Sequence, residues 1–164
     1  ADCIDATKDI TACATTVSTQ IATDLAAVLT TLRNAAGPDT TIVGMNYYNP
    51  YLASWLEDDA GQALAVESDL AVAVASDFLS MTYTSAGMLM ADVAAEFESG
   101  DFVTLVQSSP PAPDGILPIN VSNICDLTYM CDPDPVGPDV HAKTVGYIRI
   151  ADAFMAVLPM PAIP

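Results

Sequence analysis

Basic side chains are almost missing from this sequence: 4 Lys and Arg stand against 21 Asp and Glu, a formal net charge of −17. Without a basic stripe nothing neutralises phosphates, which excludes nucleic acid as a partner. The same charge is repelled by an anionic membrane surface. Long hydrophobic runs are lacking as well. Asp, Glu, Pro or Gly cuts every apolar stretch short of the roughly 20 residues that a membrane-spanning helix needs, so no membrane span is expected. Histidine and tryptophan each occur once. Charge of any sign is sparse, 15% of residues against 52% hydrophobic, and so apolar a chain must hide surface, which excludes a disordered tail. At 164 residues it has the length of one domain, enough to bury roughly 70% of the surface the unfolded chain exposes.

Four cysteines fall in two local pairs, Cys3 with Cys13 and Cys125 with Cys131. Neither pair has the doubled C-x-x-C spacing that structural zinc prefers. Two short-loop disulfides are the simplest reading, buried free thiols the alternative. Disulfides imply an oxidising compartment, and a surface rich in acids keeps an exported protein dispersed; the expected location is secreted or extracellular. Nothing at Ala1 reads as a signal peptide, so either one has been removed or the chain does not begin where its gene does.

Periodicity supplies the elements. Cys13, Val17, Ile21, Leu25, Val28, Leu29 and Leu32 recur every three or four residues, which predicts an amphipathic helix over 11–36 that ends at Gly37-Pro38. The β-branched run Thr40–Asn46 predicts a strand buried on both faces. An aromatic loop, Tyr47-Tyr48-Asn49-Pro50-Tyr51, leads to a helical turn with Leu52, Trp55 and Leu56. A helix over 62–80 carries Val66, Leu70, Val74, Phe78 and Met81 on one face. Gly87 breaks the chain, and Met88–Val93 repeats the buried-strand pattern, with Met88 and Met90 as core residues. Residues 98–119 show no periodicity and read as a long surface loop. Asn120 or Ser122 caps a short helix through Ile124, Leu127 and Met130. Prolines then forbid regular structure until Asp139-Val140-His141, and a last helix from about Ala142 carries Tyr147, Ile150, Phe154 and Leu158 before Pro159.

The order helix, strand, helix, strand belongs to an α/β fold with a parallel sheet. Two strands buried on both faces do not make a stable sheet alone, so the sheet is expected to be completed by strands outside this chain, from an N-terminal part of the same gene product or from another protomer.

Three segments follow one another in a family's order. Thr41-Ile42-Val43-Gly44-Met45-Asn46-Tyr47-Tyr48-Asn49-Pro50 through Trp55, Ile124-Cys125 through Met130-Cys131, and Gly137-Pro138-Asp139-Val140-His141-Ala142 leading to Gly146-Tyr147 resemble the C-terminal part of actinobacterial SGNH (GDSL-type) esterases and lipases. The resemblance spans nearly the whole chain. It implies that residues 1–164 are the C-terminal portion of a single flavodoxin-like α/β/α three-layer domain. It also implies a serine in a Gly-Asp-Ser block and oxyanion donors in other N-terminal blocks. No Gly-Asp-Ser, Gly-x-Ser-x-Gly or Gly-x-Asn-Asp occurs here. The nucleophile would therefore come from an N-terminal portion of the same hydrolase, and the partner on the other side is an ester substrate.

The resemblance carries over to one block, where the family has Asp-x-x-His before the last helix. His141 matches the histidine. Its task would be to take the serine proton and return it to the leaving alcohol, work for a group that titrates near neutrality. Pro138 occupies the family's acid position, so the orienting acid falls to Asp139, two residues before His141; a backbone carbonyl could orient the ring instead, and a lone histidine can also be an ordinary loop residue. Tyr47, Tyr48, Asn49 and Trp55 either line an acyl or alcohol pocket or simply pack the loop on the next helix. Asp132 and Asp134 lack the glycine-bearing twelve-residue calcium pattern and read as solvated acids; neither metal nor cofactor is expected. Asn120-Val121-Ser122 fits a glycosylation sequon. The competing reading is a non-catalytic structural or assembly subunit derived from a hydrolase fold.

Overall fold

A computed structural model describes residues 10–159. Helix α1 (Ile10–Ala36) stops where Gly37 takes φ +82° and its N–H reaches the Arg33 carbonyl at 3.0 Å, a left-handed cap that glycine adopts without steric cost. The Arg33 guanidinium donates to the carbonyls of Gly37, Thr40 and Gly87. One cation thus ties the end of α1 to the turn before the second strand.

Strands β1 (Val43–Met45) and β2 (Leu89–Ala91) run parallel, Val43 beside Leu89, Gly44 beside Met90 and Met45 beside Ala91. Between them come a 3-10 segment (Pro50–Leu56), capped by Asn49, and helix α2 (Asp59–Ser85), capped by Asp58. A short helix α3 (Val93–Glu96) follows β2. Then come strands β3 (Leu105–Ser108) and β4 (Gly115–Pro118), helix α4 (Ile119–Leu127) and helix α5 (Thr144–Val157). The fold is mixed helix and strand with a two-stranded parallel sheet. Leu52, Ala65, Ala91, Val93, Phe97, Ile124, Cys125, Leu127 and Ala153 share one buried cluster, so the 3-10 segment, β2 and the helices α2 to α5 are joined by common burial.

Five expectations are corrected. Residues 98–119 are not one loop: β3 and β4 pair antiparallel from Leu105 opposite Pro118 to Ser108 opposite Gly115. The hairpin lies on the surface, with Leu105 and Ile116 exposed. It therefore lacks the strict apolar alternation that marks a half-buried strand, and Pro110, Pro111 and Pro113 lie in its turn, where Ser108 Oγ donates to the carbonyls of Pro113 and Gly115.

The stripe expected to bury α2 is largely outward: Val66 is 49% exposed, Leu70 53% and Met81 68%. The buried face is the small-residue one, Gly61, Ala65 and Ser68. Close approach decides this, because a Cβ on Gly61 would stand 2.1 Å from the Ser54 carbonyl oxygen. Along α1, likewise, Leu29 is buried while Ile21, Val28 and Leu32 are exposed.

The strands are not buried on both faces within this chain. Val43, Gly44 and Met45 are half-buried and Leu89 is exposed, as follows when a sheet has only two strands. Finally, neither Asn120 nor Ser122 caps α4: both lie inside the helix, which follows Pro118 without a side-chain cap, and the sequon asparagine Asn120 is fully buried, its Nδ2 donating to the Ser99 carbonyl at 2.9 Å. A glycosyltransferase cannot reach it in the folded chain.

Candidate functional site

His141 stands in the segment that joins α4 to α5, and backbone bonds fasten the two ends of that segment to each other. The Asp139 N–H donates to the Tyr129 carbonyl, the Tyr129 N–H to the His141 carbonyl, and the Lys143 N–H to the Leu127 carbonyl, all between 2.8 and 3.1 Å. Thr128 and Ala142 form an antiparallel bridge between these contacts. Gly137 permits the approach: a Cβ there would lie 2.3 Å from the Tyr129 carbonyl oxygen and 2.4 Å from that of Asp132. Gly146 does the same on α5, where a Cβ would lie 2.1 Å from the Leu127 carbonyl oxygen.

Two further ties hold the far side of this corner. The disulfide Cys125–Cys131 closes the end of α4 onto the following turn. Lys143 Nζ donates to the Cys125 carbonyl at 3.0 Å and to Asp132 Oδ1 at 2.8 Å, with both side chains less than one-fifth exposed. Asp132 is therefore not a solvated acid; it is the counter-ion of one of the four basic residues. Cys3, the expected partner of Cys13, lies outside the described residues.

On this frame the Asp139 carboxylate makes two bonds with one oxygen. Oδ1 accepts the His141 backbone N–H at 2.8 Å and lies 2.5 Å from His141 Nδ1. The first bond is an Asx-turn, in which an aspartate side chain accepts the N–H two residues on. That turn explains why a spacing of two works here. It folds the carboxylate back to where the imidazole of the same turn can reach it. Bonds from the His141 backbone and ring hold the Asp139 carboxyl below the ordinary aspartate range, because both favour the charged form. When Nδ1 donates to the carboxylate, Nε2 keeps the lone pair. The ring is 73% exposed, and no hydroxyl of the described residues bonds to it.

The aromatic segment divides. Tyr48 is the member brought to the histidine: its phenol donates to the Val140 carbonyl at 2.6 Å and its ring stacks on Phe97 at 4.3 Å between centroids. Burial, then the neighbouring Tyr147 and Asp139, push its pKa up, which keeps the O–H as a donor. Tyr47 is exposed. Asn49 is fully buried; it donates to Ser68 Oγ and accepts the Tyr51 N–H, so its side chain caps and braces the 3-10 segment and faces no solvent. Trp55 is half-buried against Phe102, 5.5 Å between centroids.

Sequence reasoning passed over Lys143, Tyr129 and the pair Asn46–Asp92. Asn46 follows β1 and Asp92 follows β2. Asn46 Nδ2 donates to Asp92 Oδ1 at 2.7 Å, and the Ala94 N–H donates to Asn46 Oδ1 at 3.0 Å, while Asp92 caps α3 through the Ala95 N–H. An aspartate directly before an apolar helical run was the available signal. Tyr48, Asn46 and Asp92 all follow the carboxyl ends of the parallel strands, where open α/β sheets carry their ligand sites. Compared with protein-family models, with curated proteins and with solved structures, the chain matches none.

Proposed function

We propose that this chain supplies the histidine of a serine-dependent carboxylic-ester hydrolase of the SGNH kind. It would form the C-terminal part of a flavodoxin-like three-layer domain in a secreted, disulfide-bonded protein. The serine and oxyanion donors would come from an N-terminal portion of the same hydrolase, on a separate chain or on another protomer. The observation that carries this reading is the 2.5 Å contact between His141 Nδ1 and Asp139 Oδ1, on a backbone that packing and hydrogen bonds hold still.

In that role Asp139 fixes the Nδ1–H tautomer and aims Nε2 outward. Nε2 takes the serine proton as Oγ attacks the ester carbonyl, and the imidazolium formed is stabilised by the carboxylate. The same proton then passes to the leaving alkoxide, and a water molecule repeats the sequence to release the acid. No cofactor enters this chemistry. Tyr48 is a positioning residue, acting through the Val140 carbonyl, and Tyr47 is the exposed aromatic beside it that is open to an ester.

A second reading is favoured by a specific observation. Apolar side chains along α1 and α2 are exposed, as on a subunit whose surface is covered in an assembly, and a non-catalytic assembly role needs no nucleophile. Turnover of a short-chain p-nitrophenyl ester by the native material separates the two, measured before and after a serine-directed organophosphonate, with intact masses for every polypeptide present. Inhibitable turnover, an adduct on a companion chain and a loss of about 10²-fold or more in His141→Ala are expected for the hydrolase. Absence of both turnover and companion moves the assignment to the assembly subunit.

A further inference from the structure

A groove of about 400 Å³ opens between α2 and α3, at the carboxyl ends of both parallel strands, and neither His141 nor Asp139 lines it. Its charged lining is of one sign: Asp69, Asp77, Asp92, Glu98 and Asp101 line it, with no Lys or Arg, and Asn46, Ser76 and Ser99 are its neutral polar members. Three of these carboxylates are held in place. Asp92 accepts Asn46 Nδ2 and the Ala95 N–H, Asp101 accepts the N–H groups of Val103 and Thr104, and Glu98 accepts Asn123 Nδ2 at 2.8 Å.

Acidic residues alone would be only a solvated face. Ser99 makes the difference. It lines the same groove and is 3% exposed, and its Oγ is the buried side-chain polar atom without a hydrogen-bond partner among the described residues. A buried hydroxyl left unpaired is costly, so a group that completes its bonding gains affinity from the site. Burial also lifts the Asp69 carboxyl above the ordinary range, because desolvation disfavours its charged form.

The occupant must donate hydrogen bonds and carry positive charge, since carboxylates only accept. A single metal ion does not fit, because among the described residues no three His, Cys, Asp or Glu side chains converge closely enough to hold one. The carboxylates are instead spread along a groove whose remaining walls include Val72, Ala73, Ala94 and Ala95. Methylenes suit such walls, just as lysine stems lie along apolar surface while their heads stay polar. We propose that this groove binds an aliphatic diammonium ligand, of the polyamine class. Its ammonium groups meet the carboxylates and Ser99 Oγ, and its methylene chain lies on the small apolar side chains between them. This assignment is independent of the ester-hydrolase reading.

The test is calorimetric titration of the full chain, with any polypeptide that copurifies, using putrescine and spermidine as probes and n-butylamine and magnesium chloride as controls. One-to-one saturable binding of the diammonium probes is expected, about 10-fold or more tighter than n-butylamine. Ser99→Ala and Asp69→Asn should each weaken it by about 5-fold or more with no loss of thermal midpoint. Equal binding of putrescine, n-butylamine and magnesium would reduce the effect to an ion atmosphere and overturn the proposal. Putrescine affinity unchanged in both variants would also overturn it, by placing the ligand elsewhere.

Discussion

The corner around His141 and the α1–α2 helix pair differ in what holds them. Between Cys125 and Gly146 the chain is secured by backbone bonds to Leu127 and Tyr129, a disulfide, a sheltered Lys143–Asp132 pair and glycines pressed against carbonyl oxygens. Along α1 and α2 few residues are buried, Ser18 and Leu29 on the first and Gly61, Ala65 and Ser68 on the second, and Val28, Val66, Leu70 and Met81 face outward. Specific polar ties fix one arrangement of a backbone, whereas apolar faces gain by being covered and accept many covers. The first region therefore carries its own geometry. The second is where this chain has surface to offer.

The contrast is broken most severely at Gly137. Adding a Cβ pushes against two backbone oxygens at once, Tyr129 at 2.3 Å and Asp132 at 2.4 Å, and neither can swing aside as a side chain would. Gly137→Ala should cost about 3 kcal/mol, read as a fall of roughly 10 °C in thermal midpoint. An unchanged midpoint would show that the corner yields to the added methyl group.

Lys143→Met comes next. It keeps the aliphatic stem and removes the charge, leaving Asp132 and the Cys125 carbonyl unpaired in a place where both ion-pair members are less than one-fifth exposed. A loss of about 2–3 kcal/mol in denaturant unfolding is expected, below the full cost of breaking a wholly buried pair because some water remains. Asp132→Asn together with Lys143→Met should recover part of that loss, which a purely steric effect of methionine would not show.

The disulfide ranks third. Cys125 and Cys131 are 6 residues apart, so the loop they close is short and the chain-entropy contribution is modest, roughly 2 kcal/mol. Cys125→Ser with Cys131→Ser should lower the unfolding midpoint accordingly, and a free-thiol assay of the unreduced, denatured wild type should find neither cysteine reactive.

What could be read from the residues follows the same division. The two strands, the long helices and the stop at Gly37-Pro38 were legible because each rests on local chemistry, apolar runs between turn signals and apolar residues three or four apart; His141 and Asp139 were picked out by a family resemblance, and the caps Asp58 and Asp92 were not picked out. The buried face of α2 was not. Periodicity finds an apolar stripe, but Gly61 and Ser54 meet because neither obstructs the other, and smallness leaves no hydrophobic signature. The hairpin of Leu105–Ser108 with Gly115–Pro118 escaped because Leu105 and Ile116 are exposed and its strands are only four residues long. Lys143 escaped because one lysine near the start of a helix looks like any other until Asp132 is brought opposite it. Tyr48 was singled out as an aromatic wall, and its bond to Val140, 92 positions away, is a tertiary fact with no local trace.

On the looser side the expected effects are small. Val66→Ser and Leu70→Ser remove side chains that are 49% and 53% exposed, so each should change stability by about 0.5 kcal/mol or less. A loss several times larger, appearing only at high protein concentration or with a companion chain present, would show that this face is covered in solution.

The smallest effect concerns the tip of the fastened corner. The His141 backbone N–H and ring hold the Asp139 carboxyl below the ordinary aspartate range, so the charged form is favoured in the folded state. The sign of the linkage follows. The stability contributed by this contact is present above the pKa of an unfolded aspartate and is lost as pH falls through the lower, folded value. Because the carboxylate is open to solvent, global unfolding will scarcely register it. The carboxyl carbon resonance of Asp139 should register it directly, with a midpoint below the ordinary aspartate value. His141→Ala removes the ring contact and leaves the backbone bond, so the midpoint should then rise only part of the way. A wild-type midpoint at the ordinary aspartate value would mean that the turn does not keep the carboxylate on the ring in solution, and the orienting role of Asp139 would fall while the fastened backbone around it stood.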